Sequence, residues 1–387
     1  MSPQRNQNHK ITGLVLTGGG ARASYQAGVL QGISEIIPER STPFQVITGV
    51  SAGAINGGFL AGTPLAYSEA TRGLCDLWKS LEIDQVFKTG VGAFSRIGAK
   101  WIRDLSFGGM LGPSGSNHLL DASPLKKYLE SKIQFQNIKA NIASQKLRGV
   151  AVSATNYFTG TAVSFFDGDP EISEWVRSWR IGMRSEIGLQ HILASCAIPV
   201  LFEPVPVEGV FFGDGGVRLT APVSPAIHLG ADRVLAVGIR YLRSNEQTIE
   251  INRHGKMDRV SIADIAGILM NAAFLDSLDT DIERMTRINQ TIALLPPERR
   301  AMQSQNLKEI PILVIRPSKD LGRMASDQFS KFPRTLRYFL AGLGASGEKG
   351  WDFLSYLAFD PAYVGELIDL GRSDALAMKS QIETFFE

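Results

Sequence analysis

Short apolar runs alternate along the chain with longer segments in which apolar residues recur at helical spacing. Such runs are typical of buried β-strands, and the segments between them of amphipathic helices. The predicted strands lie at residues 11–17, 147–155, 161–166, 205–212, 233–239 and 310–316, and another runs from residue 45 into 49. The predicted helices lie at residues 23–37, from 53 to about 81, at 185–195, at 260–286 and from 332 onwards. Strands separated by helices predict an α/β fold with a mainly parallel sheet covered on both faces.

The same pattern divides the chain into parts. Residues 1–10 are polar and predict a disordered tail, residues 11–317 hold the alternation of strands and helices, and residues 318–387 predict a helical C-terminal extension. Residues 90–117 are rich in glycine and also carry aromatic residues and cations, so we predict a lid there. The polar residues 244–256 predict a loop.

Composition narrows the class of protein and of partner. With 387 residues, 44% of them hydrophobic, the chain can form a large core, and its net charge of +2 does not predict nucleic-acid binding. The most apolar long segment, residues 262–278, contains two aspartates and an asparagine and does not predict a membrane span. The apolar run at the N-terminus resembles a secretory signal only superficially, because glycines dilute it. The two distant cysteines, Cys75 and Cys196, favour a reducing compartment, so we expect a cytoplasmic protein.

The motif Gly49-x-Ser51-x-Gly53 follows one predicted strand and opens a helix of small residues. A serine in this pattern at a strand-to-helix turn is a nucleophile elbow, in which the turn exposes the hydroxyl group. Gly49 and Gly53 leave room for close packing, and the positive end of the helix stabilises negative charge on Ser51. Because so short a pattern also arises by chance, Ser51 needs support from other residues.

Three successive glycines follow the first strand and allow two interpretations. As a dinucleotide fingerprint, Gly18-x-Gly20-x-x-Ala23 has the required spacing, although its acidic partner, Glu39, lies after a proline in a loop. As an oxyanion hole, the N–H groups of Gly18, Gly19 and Gly20 hold the negative oxygen of a tetrahedral intermediate. The second interpretation suits three glycines better, since none carries a Cβ that would block a substrate carbonyl.

A serine nucleophile needs a base, and the chain offers five histidines and one well-placed aspartate. His228 follows Asp214 in an order that a Ser-Asp-His triad allows, although His191 and His228 are more often packed or partly exposed helix residues than catalytic ones. His254, in a polar stretch, is the other histidine that such a triad could use. Asp214 ends an apolar segment beside Gly215 and Gly216, which leave its side chain accessible. An ordinary Asp-Gly-Gly turn is the alternative interpretation of this segment.

The three motifs, taken in this order, resemble those of the patatin-like phospholipase family. They are Gly18-Gly19-Gly20-x-Arg22, Gly49-x-Ser51-x-Gly53 and Asp214-Gly215-Gly216. Ala194-Ser195, Pro199 and Pro222-Val223-Ser224-Pro225 also resemble the family's spacing, and the resemblance covers about residues 11–239. It implies a three-layer α/β/α patatin-like fold, outside whose core the C-terminal extension lies.

The resemblance also implies a serine acyl hydrolase with a Ser-Asp dyad and neither cofactor nor metal. Ser51 is then the nucleophile, Asp214 the general base, and the loop Gly18-Gly19-Gly20 the oxyanion hole. The supporting residues are Arg22, Gly49, Gly53, Gly215 and Gly216. An aspartate with the ordinary pKa of about 4 is a weak base for an alcohol, so burial has to raise that pKa. Arg22 braces the loop or faces an anionic head group, unless it is an ordinary surface arginine.

The implied substrate is a phospholipid or a lysophospholipid. Aromatic residues and cations in the predicted lid, and an apolar stripe at residues 332–343, favour either packing on the core or peripheral contact with a membrane. Three alternatives stay open: a catalytically silent module with the patatin fold, a Ser-Asp-His esterase and a nucleotide-dependent oxidoreductase. The sequence makes no prediction of the oligomeric state.

Overall fold

The computed structural model describes residues 10–38, 43–111, 117–254, 259–296, 308–346 and 349–387. The predicted tail at residues 1–10 therefore lies, apart from its last residue, outside the described part of the chain. The strands are β1 (Thr12–Leu16), β2 (Val46–Val50), β3 (Gly149–Asn156), β4 (Ala162–Gly168), β5 (Trp175–Arg177), β6 (Arg180–Arg184), β7 (Val205–Val207), β8 (Val210–Asp214), β9 (Arg233–Val237) and β10 (Ile312–Ile315).

These strands form one sheet in the order β10-β9-β1-β2-β3-β4-β6-β5, and a hairpin of β7 and β8 joins it along β3. All neighbours from β10 to β3 are parallel, whereas β3 pairs with both β4 and β8 in antiparallel fashion. The predicted mainly parallel sheet and the predicted hairpin of β3 with β4 are thus confirmed. The predicted single run at residues 205–212 is instead a hairpin, because Glu208 and Gly209 both adopt positive φ and reverse the chain.

Helices cover both faces of the sheet. They are α1 (Ser24–Ile36), α2 (Ala52–Gly62), α3 (Tyr67–Lys79), α4 (Ile83–Val86), α5 (Val91–Leu111), α6 (Ser123–Lys132), α7 (Asn137–Ala143), α8 (Leu189–Ser195), α9 (Ser224–His228), α10 (Asn245–His254), α11 (Ile262–Phe274), α12 (Asp276–Leu294), α13 (Leu321–Met324), α14 (Arg334–Gly342), α15 (Trp351–Leu357), α16 (Pro361–Ala377) and α17 (Lys379–Phe386). Leu14 and Leu16 of β1 point into the layer formed with α1 and α2, while Val15 points into the layer formed with α9 and α12. This alternation produces the three-layer α/β/α fold that the resemblance implied.

Two further predicted elements are wrong. Residues 245–254 form a helix and not a loop: the side chain of Ser244 caps the N–H of Gln247, yet the helix buries no residue and so has no apolar pattern. The single helix predicted at 260–286 is two helices, which meet at Leu275. The second of them begins at Asp276, which is bonded to Arg240.

The predicted lid at residues 90–117 contains a long helix, α5. Within it the indole N–H of Trp101 donates to the carbonyl of His118, at 3.0 Å. Residues 112–116 lie outside the described part of the chain. A role for this segment as a lid remains a prediction.

The C-terminal helices share the core of the α/β layers. Helix α16 lies so close to α1 that a Cβ at Gly28 would overlap the carbonyl of Ile368, and one at Gly371 would overlap that of Tyr25. The end of α17 is held by the guanidinium group of Arg233, which bonds to its last carbonyls. The apolar residues of this region therefore pack on the core, while the domain boundary at residue 317 stays a prediction. No described helix has the length and apolar character of a membrane span.

Candidate active site

Ser51 lies on a sharp turn between β2 and α2, with φ of 55° and ψ of −131°. A non-glycine residue rarely adopts this conformation, and strain of this kind is typical of a nucleophile elbow. Close packing makes the turn possible, because a Cβ at Gly49 would overlap the carbonyl of Gly53, and one at Gly53 would overlap the carbonyl of Leu16 in β1. The sequence pattern and the local geometry agree at this turn.

The hydroxyl of Ser51 donates a hydrogen bond to Oδ2 of Asp214, with 2.6 Å between the two oxygens. Both residues are buried: Ser51 is 3% exposed and Asp214 is fully covered. Asp214 ends β8, where its own N–H donates to the carbonyl of Ala197 and its carbonyl accepts from the hydroxyl of Thr155. The N–H of Gly216 donates to Oδ1, at 2.9 Å. These bonds fix the orientation of the carboxylate toward Ser51.

Burial raises the pKa of the Asp214 carboxyl from 3.8 to about 7, although hydrogen bonds from Ser51 and Gly216 oppose the shift. Desolvation disfavours the charged form, and this cause dominates here. A carboxyl with this pKa is half protonated near neutral pH. It can therefore both accept and release a proton under ordinary conditions.

Gly215 and Gly216 form the turn after Asp214, and each lies against another part of the chain. A Cβ at Gly215 would overlap the carbonyl of Ser153, and one at Gly216 would overlap the ring of Phe274. These two glycines therefore allow the Asp214 carboxylate to sit between β3 and α11.

The loop of three glycines lies directly beside Ser51. A Cβ at Gly18 would come within 2.6 Å of the Cβ of Ser51. Gly20 has a positive φ of 57°, and a Cβ there would overlap the carbonyl of Tyr356. Within the described residues, no hydrogen bond is donated by the N–H groups of Gly18, Gly19 or Gly20. These N–H groups thus have no hydrogen-bond acceptor among the described residues.

Arg22 is buried and braces this loop. Its guanidinium group donates to the Ser355 hydroxyl at 2.7 Å and to the Asp352 carboxylate at 2.8 Å, and it stacks over the ring of Tyr356. It also bonds to Asn271 of α11, at 3.4 Å. The interpretation of Arg22 as a surface residue is therefore wrong, and the arginine ties the glycine loop to the C-terminal helices.

Ser195 is a further residue of this site to which the sequence assigned no role. Its Oγ accepts the Ser51 N–H at 2.8 Å and donates to the carbonyl of Ser153 at 2.6 Å. Ser195 is buried at the end of α8. A serine near the end of an apolar helix is common, so its only signal in the sequence was the position of Ala194-Ser195 relative to the motifs.

The histidines described by the structure lie away from this pair. His191 packs on Phe165 and His228 stacks on Trp175, and burial lowers the pKa of each imidazole to about 4. His254 is exposed and paired with Glu250. Across the described ranges no histidine bonds to Ser51 or Asp214.

The dinucleotide interpretation and a metal site depend on other acidic or ligating residues. Glu39, the acidic residue of the dinucleotide interpretation, lies outside the described residues. In the part of the chain that the structure describes, no group of three or more His, Cys, Asp or Glu is placed to hold a metal ion.

Comparison with known proteins agrees with the resemblance seen in the motifs. The model of the family described as "Patatin-like phospholipase" matches residues 14–227, which is more than half of the chain. Among solved structures, VipD from Legionella pneumophila is similar at 14% identity and a TM-score of 0.35, over 90% of this chain and 67% of VipD. Human GIVD cytosolic phospholipase A2 is similar at 13% identity and a TM-score of 0.38, over 99% of this chain and 60% of that enzyme. The type III effector ExoU of Pseudomonas aeruginosa is similar at 15% identity and a TM-score of 0.29, over 89% of this chain and 74% of ExoU.

The match of the family model is what assigns the chain. It belongs to the patatin-like phospholipase family.

Proposed function

We propose that the chain hydrolyses the acyl ester of a phospholipid or a lysophospholipid through an acyl-enzyme on Ser51, with Asp214 as the general base. One observation carries the proposal: the hydrogen bond from the Ser51 hydroxyl to the Asp214 carboxylate, on a strained turn at the N-terminus of α2. In a triad a histidine occupies this place beside the serine. Here a carboxylate fills it.

In the first step Oγ of Ser51 attacks the ester carbonyl and its proton moves to Oδ2 of Asp214. The raised pKa of Asp214 makes this transfer easier than it is for an ordinary carboxylate. The carbonyl oxygen becomes negative, and the N–H groups of the Gly18-Gly19-Gly20 loop stabilise it. Collapse of the tetrahedral intermediate breaks the ester C–O bond, and Asp214 returns its proton to the departing alcohol.

In the second step a water molecule replaces that alcohol. Asp214, again a carboxylate, takes a proton from the water, whose oxygen attacks the acyl carbon on Ser51. The same loop holds the second oxyanion. Release of the fatty acid restores the Ser51 hydroxyl and the Asp214 carboxylate, so the chain's own residues account for every proton.

A fluorophosphonate probe and a soluble short-chain ester test this mechanism. We expect wild-type protein to be labelled and to hydrolyse the ester, and expect Ser51→Ala and Asp214→Asn to lose both. Ser164→Ala is the matched control, since Ser164 is another buried serine, bonded to Ser153 on the neighbouring strand. Substituting His228 or His254 with alanine should leave the activity within about twofold.

Labelling that persists in Ser51→Ala, or activity abolished by His228→Ala in a folded protein, would overturn the dyad. Unlabelled but correctly folded wild type would favour the catalytically silent module. Mass spectrometry of the products from mixed phospholipids and lysophospholipids then identifies the acyl donor and the bond that is cut.

A further inference from the structure

Helix α11 presents an apolar face to solvent. The side chains of Ile262, Ile265, Ile268 and Leu269 are between 50% and 65% exposed, and Val260, just before the helix, is 57% exposed. Their spacing places them on one side of the helix. A surface helix normally carries charged or polar residues on its outer side, and this one carries aliphatic side chains there.

The two strongly polar residues of α11 are both engaged elsewhere. Asp264 accepts from the N–H and hydroxyl of Ser261 at its own helix start, and from the N–H of Gly350. Asn271 accepts from Arg22 and from the hydroxyl of Tyr356. Neither side chain therefore makes the outer face polar.

The next helix, α12, is a useful contrast within the same chain. Its outer side carries charged residues such as Glu283, Arg284 and Arg287, and two of these pair with each other. The adjoining helices thus differ in the chemistry of their exposed sides.

The opposite side of α11 lies against the candidate active site. Ala263, Gly267, Met270 and Phe274 are buried along it. The ring of Phe274 fills the space in front of Gly216, whose N–H holds the Asp214 carboxylate. One helix therefore separates the turn that follows Asp214 from the exposed aliphatic face.

A cleft of about 600 Å³ borders this face and reaches Arg22, two residues after the glycine loop. Ile268 and Asn271 of α11 line it together with Arg22 and Ile239. Ile239 is in contact with Gly19, where it would obstruct a Cβ. Ile239 is 1% exposed and therefore lies between the cleft and the glycine loop.

Cations stand at the start of the apolar face. Arg259 is exposed directly before Val260. Lys349 is exposed and close enough to Asp264 that its charge, together with hydrogen bonds from Ser261 and Gly350, lowers the pKa of that carboxyl against the effect of burial. Aliphatic side chains bordered by Arg and Lys match a phospholipid surface, in which acyl chains lie below a layer of phosphates.

We propose that the outer face of α11 docks on a phospholipid surface, which places the candidate active site, on the other side of this helix, close to that surface. The inference rests on the proposed function for the identity of the substrate. It assigns membrane contact to a helix other than the predicted lid and the apolar stripe at residues 332–343. Ile262, Ile265, Ile268 and Leu269 enter the acyl region, while Arg259 and Lys349 meet the phosphates.

Co-flotation with phospholipid vesicles tests the proposal, and the Ser51→Ala background keeps vesicle binding separate from hydrolysis. We compare phosphatidylcholine vesicles with vesicles that also contain phosphatidylglycerol. Replacing Ile265 and Leu269 together with serine is expected to lower the partition coefficient about tenfold or more, since two aliphatic contacts are lost. The matched control replaces Val176 and Leu294, which are 75% and 85% exposed on β5 and α12, with serine.

The control pair should bind as the parent protein does, and both double variants should keep its thermal unfolding midpoint, because all four side chains are exposed. Arg259→Gln should weaken binding only to the vesicles with phosphatidylglycerol. Equal binding of the α11 variant and the parent, or equal loss in the control pair, would refute the docking face. A parent dimer that the α11 variant converts to monomers, with vesicle binding unchanged, would assign the face to a second copy and also refute it.

These outcomes are independent of catalysis. If the fluorophosphonate test fails while vesicle binding depends on α11, the proposed chemistry is wrong and the docking face stands. If wild type hydrolyses the soluble ester while α11 has no effect on binding, only the docking face is wrong.

Discussion

A change of pH from 5 to 8 should act on Asp214 in two opposite ways, raising activity and lowering stability. Because burial raises the pKa of this carboxyl to about 7, only about 1% of it is ionised at pH 5. We therefore expect kcat/KM for a soluble ester to rise about tenfold per pH unit up to pH 7 and then to level off.

The effect on stability has the opposite sign. A carboxyl whose pKa rises on folding binds its proton more tightly in the native state, so its favourable contribution is complete below about pH 4 and is lost as the pH rises through about 7. A shift from 3.8 to about 7 corresponds to about 4 kcal/mol at about 1.4 kcal/mol per unit. The native protein bears this cost above pH 7 because it keeps a carboxylate away from water.

The variant Asp214→Asn isolates this contribution. Its side chain is uncharged at every pH and retains an oxygen for the N–H of Gly216. The difference in unfolding free energy between the variant and wild type should therefore change by about 4 kcal/mol between pH 4 and pH 8, in favour of the variant. Other titrating groups are common to both proteins and cancel in the difference.

Urea unfolding at a series of pH values measures this difference, and steady-state hydrolysis over the same series measures the activity. The variant should be inactive throughout, and more stable relative to wild type at pH 8 than at pH 4. A flat difference in stability, or an apparent kinetic pKa near the ordinary value of about 4, would show that Asp214 is not a desolvated base.

Three further substitutions test the surroundings of Ser51. Ser195→Ala leaves the Ser51 N–H buried without its hydrogen-bond partner. We expect kcat to fall about tenfold or more with the pH profile unchanged, and the free energy of unfolding to fall by about 1–3 kcal/mol. An unaltered kcat would rule out positioning of Ser51 by Ser195. Gly18→Ala crowds Ser51 and should lower kcat/KM by about a hundredfold or more. The control Gly365→Ala, whose Cβ points into open space, should leave kcat/KM unchanged. Equal kcat/KM in the two variants would contradict the close packing of Gly18 against Ser51. In Arg22→Lys the ammonium group cannot replace the hydrogen bonds of the guanidinium group to Ser355 and Asp352, so the free energy of unfolding should fall by about 2–4 kcal/mol. A loss below about 1 kcal/mol would show that these bonds are not needed to hold the glycine loop.

Local patterns predicted much of the fold and the candidate site. The apolar runs predicted the strands of the parallel sheet and the hairpin of β3 and β4, because a buried strand is a short run of successive apolar residues. The motifs around Gly18, Ser51 and Asp214 were recognisable for a similar reason, since each depends on a tight turn whose geometry requires small residues. The apolar pattern did not predict helix α10, because a fully exposed helix has no apolar stripe.

What the sequence determined by itself is therefore the family, the strands of a mainly parallel sheet and the three motifs around Gly18, Ser51 and Asp214. The tertiary structure alone decided which of these residues lie close together. Ser51 and Asp214 lie 163 residues apart, and only the crossovers of the sheet bring their oxygens within 2.6 Å. The burial that raises the pKa of Asp214, the bond of Ser195 to the Ser51 N–H and the exposure of one side of α11 likewise depend on which distant elements pack together. A linear pattern shows that a residue is apolar or charged, but the neighbours that cover or uncover it come from the rest of the chain.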